Sequence, residues 1–140
     1  THGFDSALSP GADKPKFLIL TRINQLGAWY PTPEHFRQKL KGCFPAPQRE
    51  LFDAQVRCQT THQSKGSEAE IVIVLGLTEG KFPSQNQTTR LYRILGASMD
   101  AAFEEELRLF YVAITRPLQS LYLLTEKNDE SVFLKRNFLR

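Results

Sequence analysis

The chain has 140 residues, of which 41% are hydrophobic and 24% charged. These proportions are ordinary for a globular domain and exclude a collagen-like, coiled-coil or wholly disordered chain. A formal net charge of +3 permits an anionic partner but does not require one. We expect one folded domain over residues 17–140, preceded by a tail or linker at 1–16, because those first residues mix Gly, Pro, Ser and Asp without periodicity.

The sequence shows no sign of a membrane or metal partner. Its longest apolar runs fall far short of the roughly 20 residues that span a bilayer, and no signal segment opens it, so we expect a cytoplasmic protein with no membrane contact. Cys43 and Cys58 are not spaced as metal ligands. We therefore predict no metal site and interpret both cysteines as reduced thiols.

Four short apolar segments have the length of buried strands. The clearest is IVIVL at 71–75, because β-branched residues dominate it and a glycine follows closely. The other strands are expected at 17–21, 56–61 and 120–125.

Two helices are predicted between these strands. Thr32 and Pro33 are typical of an N-cap and a first helical turn, and this helix should run to Lys41. The second helix is expected over 100–115, with apolar residues at i, i+3, i+4 and i+7, namely Leu107, Phe110, Tyr111 and Ile114. Strands that alternate with helices indicate an α/β fold with a mainly parallel sheet.

Polar residues follow three of these elements. Arg22 follows the first strand, TTHQSKG at 60–66 follows the second, and Arg116 follows the second helix. A guanidinium suits phosphate oxygens, yet an arginine at the end of an element is more often a surface ion-pair partner. The GxxxxGK spacing of a Walker A loop is absent. The residues alone indicate no more than an α/β domain with a potential phosphate site.

Three segments resemble motifs of superfamily 1 DNA helicases of the UvrD/Rep type. They occur in family order: FLILTRINQ at 17–25 is similar to motif IV, TTHQSKGSEAEIVIVLGLTEGKFPS at 60–84 to motif V, and EEELRLFYVAITRP at 104–117 to motif VI. The resemblance implies a RecA-like three-layer domain of the P-loop NTPase type. It would be the second (2A) motor domain, which has no Walker A loop of its own.

For the nucleotide, the resemblance implies that Arg22 and Arg116 act as catalytic arginine fingers at the terminal phosphate of ATP. It assigns Glu68 to the ribose and Gly66 to the adjoining turn, where we expect a left-handed backbone. ATP and Mg²⁺ are the implied cofactors. The Mg²⁺ would be held by an amino-terminal RecA-like domain, the implied protein partner, so we expect these 140 residues alone to lack ATPase activity.

For DNA, the resemblance implies a single-stranded partner contacted by Thr60, His62 and Lys65. Glu105 and Arg108 would couple the arginines to the DNA side. Tyr111 is expected first to pack within the apolar stripe and second to make a coupling contact. The implied activity is 3′ to 5′ helicase or translocase action in a bacterial cytoplasm or nucleoid, with a role in DNA repair.

The chain departs from the family pattern at several positions. Leu107 replaces the first arginine of the usual pair, Pro117 replaces the usual alanine, and Ser67 and Ala69 replace the apolar neighbours of Glu68. Leu107 and Pro117 motivate an alternative hypothesis, a helicase-derived module that binds protein or DNA without catalysis. The retained Arg22, Glu68 and Arg116 argue against it.

The interval between Arg22 and Thr60 is too short for the 2B subdomain that UvrD and Rep carry there. In this respect the chain is more similar to helicase IV and its relatives.

Overall fold

The computed structural model describes residues 15–22, 32–83 and 99–135. Its elements in chain order are β1 Phe17–Thr21, α1 Pro33–Gly42, α2 Ala46–Gln55, β2 Val56–Thr60, β3 Ala69–Leu75, α3 Met99–Ile114 and β4 Pro117–Leu123. Short 3-10 turns lie at His62–Ser64 and Val132–Leu134. Most of the expected tail lies outside the described residues. Within them, no helix is long and apolar enough to cross a membrane.

The four strands form one parallel sheet in the order β2-β1-β3-β4. Thr21, the last residue of β1, lies in register with Thr60 of β2 and Leu75 of β3. These strand ends define the carboxyl edge of the sheet. At the opposite, amino edge, Ala69 of β3 pairs with Pro117 of β4. The predicted α/β fold with a parallel sheet is confirmed.

Helices cover both faces of the sheet and produce three layers. Alternate residues of β1 point to opposite faces, as the two-residue period of a strand requires. Phe17 and Ile19 pack with α1 and α2 through Phe36, Phe44 and Phe52. Leu18 and Leu20 lie in the core on the α3 face, which also contains Leu109, Phe110, Ala113 and Phe133. Because each large apolar side chain contributes about 1.5–3 kcal/mol when fully buried, these two clusters dominate the stability of the fold.

Several element boundaries differ from the prediction. The helix α2 was not predicted, because Pro45 and Pro47 break the helical pattern of the sequence. Both are tolerated, since Pro45 is the N-cap residue and Pro47 lies in the first turn, where a backbone N–H has no helical partner. The strand β4 begins at Pro117 rather than Ser120, which an edge strand permits at its first residue.

Two local features help to hold the helices in place, the cap of α1 and the buried side chain of Phe133. Thr32 Oγ1 accepts a hydrogen bond from the His35 backbone N–H at 3.1 Å, which confirms the predicted N-cap. Phe133 is fully buried and stacks on Phe110, with ring centroids 4.9 Å apart. It lies in the 3-10 turn Val132–Leu134.

The buried face of α3 is shifted from the predicted stripe. It comprises Glu106, Leu109, Phe110 and Ala113, which keep the i, i+3, i+4, i+7 spacing. Leu107 is 36% exposed and Tyr111 65% exposed, so the prediction that Tyr111 packs in the core is wrong. The pattern was misleading because a carboxylate occupies one of the four buried positions, and carboxylates are rarely buried unless they are paired.

Candidate nucleotide and DNA site

Residues 61–68 connect β2 to β3 and carry four of the predicted site residues, His62, Lys65, Gly66 and Glu68. We call them the crossover loop. The loop leaves β2 at the carboxyl edge and enters β3 at the amino edge, on the far side of β1, and its 3-10 turn contacts α3. It therefore joins Thr60 and His62, predicted to contact DNA, to Glu68, predicted to contact the nucleotide.

Two buried hydroxyls hold the start of the crossover loop. The backbone N–H and the Oγ1 of Thr61 both donate to the carbonyl oxygen of Thr21, at 2.8 and 3.1 Å. The Oγ of Ser64 donates to the carbonyl oxygen of Thr61 at 2.7 Å. Thr61 is 1% exposed and Ser64 fully buried, so these hydrogen bonds are shielded from water. They fix the loop to the end of β1.

The predicted DNA-contacting side chains lie near this fixed point. His62 and Lys65 are exposed and Thr60 is partly exposed. The Thr60 backbone N–H donates to Gln63 Oε1 at 3.1 Å, which stabilises the turn. Gly66 has φ +82°, so the expected left-handed backbone is confirmed. An added Cβ there would meet no atom within 4 Å, so the backbone angle, and not space, favours glycine.

Arg22 forms a buried, bidentate ion pair with Glu106 of α3. Its Nε lies 3.0 and 2.9 Å from the two carboxylate oxygens, and its Nη2 lies 2.6 Å from Oε1. The two side chains are 14% and 10% exposed. Paired charged hydrogen bonds of this geometry are among the strongest in proteins. The pair fastens the exit of β1 to α3 and compensates the charge of Arg22.

Arg116 lies at the amino edge, where its carbonyl oxygen accepts a hydrogen bond from the Ala69 N–H at 3.3 Å. Its guanidinium donates to neutral oxygens: the Val112 carbonyl at 3.0 Å, the Ser67 carbonyl at 3.5 Å and Thr115 Oγ1 at 3.3 Å. Among the described residues no carboxylate forms an ion pair with it. Its position is thus fixed while its charge remains available to an anion.

The structure does not bring the two predicted arginine fingers together. Arg22 is bound to α3 at Glu106, whereas Arg116 follows the end of the same helix. The Arg116 guanidinium binds the Val112 carbonyl, and at 1.5 Å rise per residue the interval from Glu106 to Val112 corresponds to about 9 Å along the helix axis. Arg22 therefore lies at the carboxyl edge, and Arg116 lies with Glu68 at the amino edge.

The predicted coupling residues lie on the outer face of α3. Arg108 Nη1 lies 3.4 Å from Glu105 Oε2, and both side chains are at least half exposed, so this pair contributes little stability. Arg108 and Tyr111 line an open groove of 580 Å³, together with Glu104, Leu107 and Val112. Glu105 and Arg108 pair with each other and not with Arg22 or Arg116.

Groups with clear pKa shifts lie on or beside the sheet face covered by α1 and α2. Burial, reinforced by Glu34, raises the pKa of the Cys58 thiol to about 11. A hydrogen bond from Lys41, supported by Arg37, holds the pKa of Asp53 below its usual value. Both cysteines are free thiols, as predicted. In the parts of the chain that the structure describes, no three His, Cys, Asp or Glu side chains form a potential metal site.

Three buried polar residues at the site were missed in the sequence: Thr61, Ser64 and Glu106. Glu106 had a detectable signal, because it completes an i, i+3, i+4, i+7 set with three apolar residues of α3. A carboxylate at such a position needs a cation, and Arg22 at a strand exit was an available partner. Thr61 and Ser64 had no comparable signal, since hydroxyl residues are common in exposed loops.

The comparisons with known proteins agree with this architecture. The model of the UvrD-like helicase C-terminal domain family matches residues 46–128. The Bacillus subtilis protein YjcD is 41% identical over 73 residues, which cover 52% of this chain and 9% of the relative. DNA helicase IV of Escherichia coli is 36% identical over 84 residues, covering 58% and 12%. ATP-dependent DNA helicase PcrA of Bacillus subtilis is 39% identical over 72 residues, covering 51% and 8%.

The chain spans about a tenth of the length of these relatives. The family match includes β2, the crossover loop, β3, α3 and β4, and therefore every predicted site residue except Arg22. The match extends over more than half of the sequence, so the chain belongs to the UvrD-like helicase C-terminal domain family.

Proposed function

We propose that this chain is the carboxyl-terminal motor domain of an ATP-dependent DNA helicase or translocase that moves 3′ to 5′, and that Arg116 contacts the terminal phosphate of ATP. The observation that carries the proposal is the environment of Arg116, whose guanidinium is held by neutral oxygens with no ion-pair partner among the described residues. A fixed, uncompensated guanidinium is suited to stabilising charge on a transferred phosphoryl group.

The rest of the nucleotide site is assigned from the same edge of the sheet. Glu68 directly precedes β3 beside Arg116 and takes the ribose, and the Gly66 turn adjoins it. An amino-terminal RecA-like domain supplies the Walker A lysine and the acids that hold Mg²⁺. When bound, Mg²⁺ neutralises charge on the phosphates. The domain described here contributes positioning and the charge of Arg116, and by itself does not hydrolyse ATP.

Single-stranded DNA contacts the carboxyl edge in this proposal. Thr60, His62 and Lys65 bind the phosphate backbone there, supported by their exposure at one end of the crossover loop. Contacts of this kind bind DNA without reading its sequence. Glu105, Arg108 and Tyr111, on the exposed face of α3, are available to couple the domain to its amino-terminal partner. A cytoplasmic or nucleoid location in a bacterium fits this role and stays a prediction.

The direct contact of Arg22 with ATP also stays a prediction, and the geometry favours another role. Its charge is compensated by Glu106, and the positions of α3 that bind the two arginines, Glu106 and Val112, lie about 9 Å apart along the helix axis. Arg22 would have to leave a buried carboxylate to reach a phosphate, and an uncompensated buried charge is costly. We infer that Arg22 holds β1 to α3.

The test is the ATPase rate of the full-length protein with single-stranded DNA, compared between wild type and Arg116→Ala. Arg49→Ala is the matched control, because Arg49 also donates to backbone carbonyls, of Phe44 and Gly42, but lies far along the chain on α2. We expect Arg116→Ala to lower kcat by roughly 10³-fold, the effect of removing an arginine finger, and the control to retain its rate.

Three results would contradict the proposal. An unchanged rate in Arg116→Ala would remove that residue from the phosphate. A folded wild-type protein without DNA-stimulated ATPase activity would favour the non-catalytic binding module. ATP turnover by the 140-residue chain alone would contradict the division of labour between two motor domains.

A further inference from the structure

The crossover loop is held at both ends by hydrogen bonds that form an unbroken series. The Thr21 carbonyl accepts from Thr61, and the Thr61 carbonyl accepts from Ser64. The Ser64 carbonyl accepts from the Ser67 N–H at 2.8 Å, and the Ser67 carbonyl accepts from the Arg116 guanidinium. The series runs from the end of β1 at the carboxyl edge to Arg116 at the amino edge.

Thr61 and Ser64 each contribute a side-chain hydroxyl to this series, which adds a second hydrogen bond beside the one from their own backbone N–H to the same carbonyl. They lie within the segment that is similar to motif V, but the resemblance assigns roles only to their neighbours Thr60, His62, Lys65 and Gly66. Their burial matters, because a hydrogen bond away from water is stronger and an unmade one is costly. The exposed residues of the same loop, His62 and Lys65, are held in place through them.

The same strand end contains an unsatisfied group. The hydroxyl of Thr21 is fully buried and has no hydrogen-bond partner among the described residues. Nearly all buried polar groups in proteins are hydrogen-bonded, so an exception requires an explanation. The Thr21 hydroxyl therefore offers the crossover loop a second hydrogen-bond partner at the end of β1. A loop that changes position during each cycle of ATP hydrolysis requires such an alternative arrangement.

We propose that Thr61 and Ser64 are positioning residues that transmit the occupancy of single-stranded DNA at Thr60, His62 and Lys65 to Arg116. The proposal rests on the proposed function of the domain and identifies how its two ends communicate. Because the two hydroxyls double the backbone hydrogen bonds that hold the loop, a displacement at its DNA end moves Ser67 and, through the contact of 3.5 Å to the Ser67 carbonyl, the guanidinium of Arg116. Without the hydroxyls, DNA still binds, but the more loosely held loop transmits less of this displacement to Arg116.

The experiment measures ATPase kcat in the full-length protein with and without oligo(dT). The test variants are Thr61→Val and Ser64→Ala, which remove the hydroxyls, and Thr61→Ser, which keeps one. Thr78→Val is the control for Thr61→Val, because Thr78 is 1% exposed and its hydroxyl has no partner in the described structure. Ser131→Ala is the control for Ser64→Ala, because the fully buried Ser131 hydroxyl donates to the Phe82 carbonyl, away from the loop.

We expect Thr61→Val and Ser64→Ala to lower the stimulation by DNA roughly fivefold to tenfold each, as the loss of one hydrogen bond predicts. The DNA-free rate and the KM for ATP should stay within about twofold of wild type, and Thr61→Ser should restore stimulation. The two controls should leave stimulation unchanged.

Two outcomes would overturn this inference alone: full stimulation in both hydroxyl-deleted variants, or an equal loss of the DNA-free and DNA-stimulated rates, which indicates a merely structural role. If either variant fails to fold, Thr61→Ser and the remaining variant decide the question by the ratio of the DNA-stimulated kcat to the DNA-free kcat. A wild-type protein without DNA-stimulated ATPase activity would instead overturn the proposed function, and this inference with it.

Discussion

Two arginines contact α3, Arg22 at its middle through Glu106 and Arg116 just beyond its carboxyl end, and they differ in what compensates their charge. At the carboxyl edge, Arg22 donates to both oxygens of Glu106 from inside the fold, with side-chain exposures of 14% and 10%. At the amino edge, Arg116 donates to two carbonyls and a hydroxyl and forms no ion pair within the described residues. Glu106 neutralises the charge of Arg22, whereas neutral oxygens hold Arg116 in position without neutralising its charge.

The difference shows how a guanidinium is committed to structure or kept for a ligand. A buried ion pair contributes little net stability, since desolvation offsets attraction, but removing one partner leaves an uncompensated buried charge. Carbonyl oxygens orient a guanidinium without cancelling its charge. Identical residue types at element ends therefore have different environments, which only their partners reveal.

Breaking the Arg22 pair should produce the largest loss of stability. Arg22→Met removes the bidentate cation from the largely buried Glu106, so we expect a loss of about 3–5 kcal/mol in the free energy of unfolding. The double variant with Arg22→Met and Glu106→Met should recover most of this loss, because two apolar side chains of similar length replace the pair. Urea denaturation of the 140-residue chain measures both. A single variant as stable as wild type would show that the pair does not join β1 to α3.

The crossover loop, which connects the carboxyl edge of the sheet to the amino edge, requires Gly66. Gly66→Ala places a side chain at φ +82°, so we expect a loss of about 1–2 kcal/mol, the cost of a left-handed backbone for an L-residue. Gly42→Ala is the control, because this residue ends α1 and an added Cβ also meets no atom within 4 Å. That change should be neutral or slightly stabilising. Equal losses in both variants would contradict the assignment of the cost to the backbone angle.

Removing Arg116 should cost the fold far less than removing Arg22. Arg116→Ala deletes hydrogen bonds to neutral acceptors near the surface, and we expect a loss of about 1 kcal/mol in the free energy of unfolding. The same urea denaturation measures it. A loss as large as that of Arg22→Met would mean that Arg116 is a structural residue and would weaken its assignment to the phosphate.

Cys58 sharpens the comparison with Glu106, because it is a partly buried acid whose pKa is raised by burial. Its folded pKa of about 11 lies above the ordinary value of 9.0, so its contribution is fully present below pH 9 and is lost as the pH rises through about 11. Wild type should therefore lose stability relative to Cys58→Val between pH 9 and 11, by a small amount. Thermal unfolding of both proteins at pH 8 and pH 10.5 measures this, and a constant difference would contradict the raised pKa.

The sequence predicted the sheet and the helical layers because apolar period and length report burial directly. The β-branched residues of IVIVL and the glycine that follows are typical of a central strand. Thr32 and Pro33 determine where α1 begins. It failed at α2, where two prolines interrupt the helical pattern although both lie at positions that tolerate them.

The site was predicted only as far as residue types allow. Motif spacing identified the crossover loop and the left-handed Gly66, but it could not separate the two arginines, since their difference lies in long-range partners. Glu106 is 84 positions from Arg22, and no local pattern encodes such a contact. The prediction for Tyr111 failed for the same reason. Glu106 is part of the buried face of α3, so a stripe chosen from apolar residues alone included the exposed Tyr111 and left Glu106 out.

The most direct test of the account compares two variants of the full-length protein in the ATPase assay with single-stranded DNA. One is Arg116→Ala, and the other combines Arg22→Met with Glu106→Met, which removes the charge of Arg22 while sparing the fold. The account predicts a roughly 10³-fold loss of kcat in the first and a rate within about tenfold of wild type in the second. A comparable loss in both would place Arg22 at the phosphate and contradict the separate roles of Arg22 and Arg116.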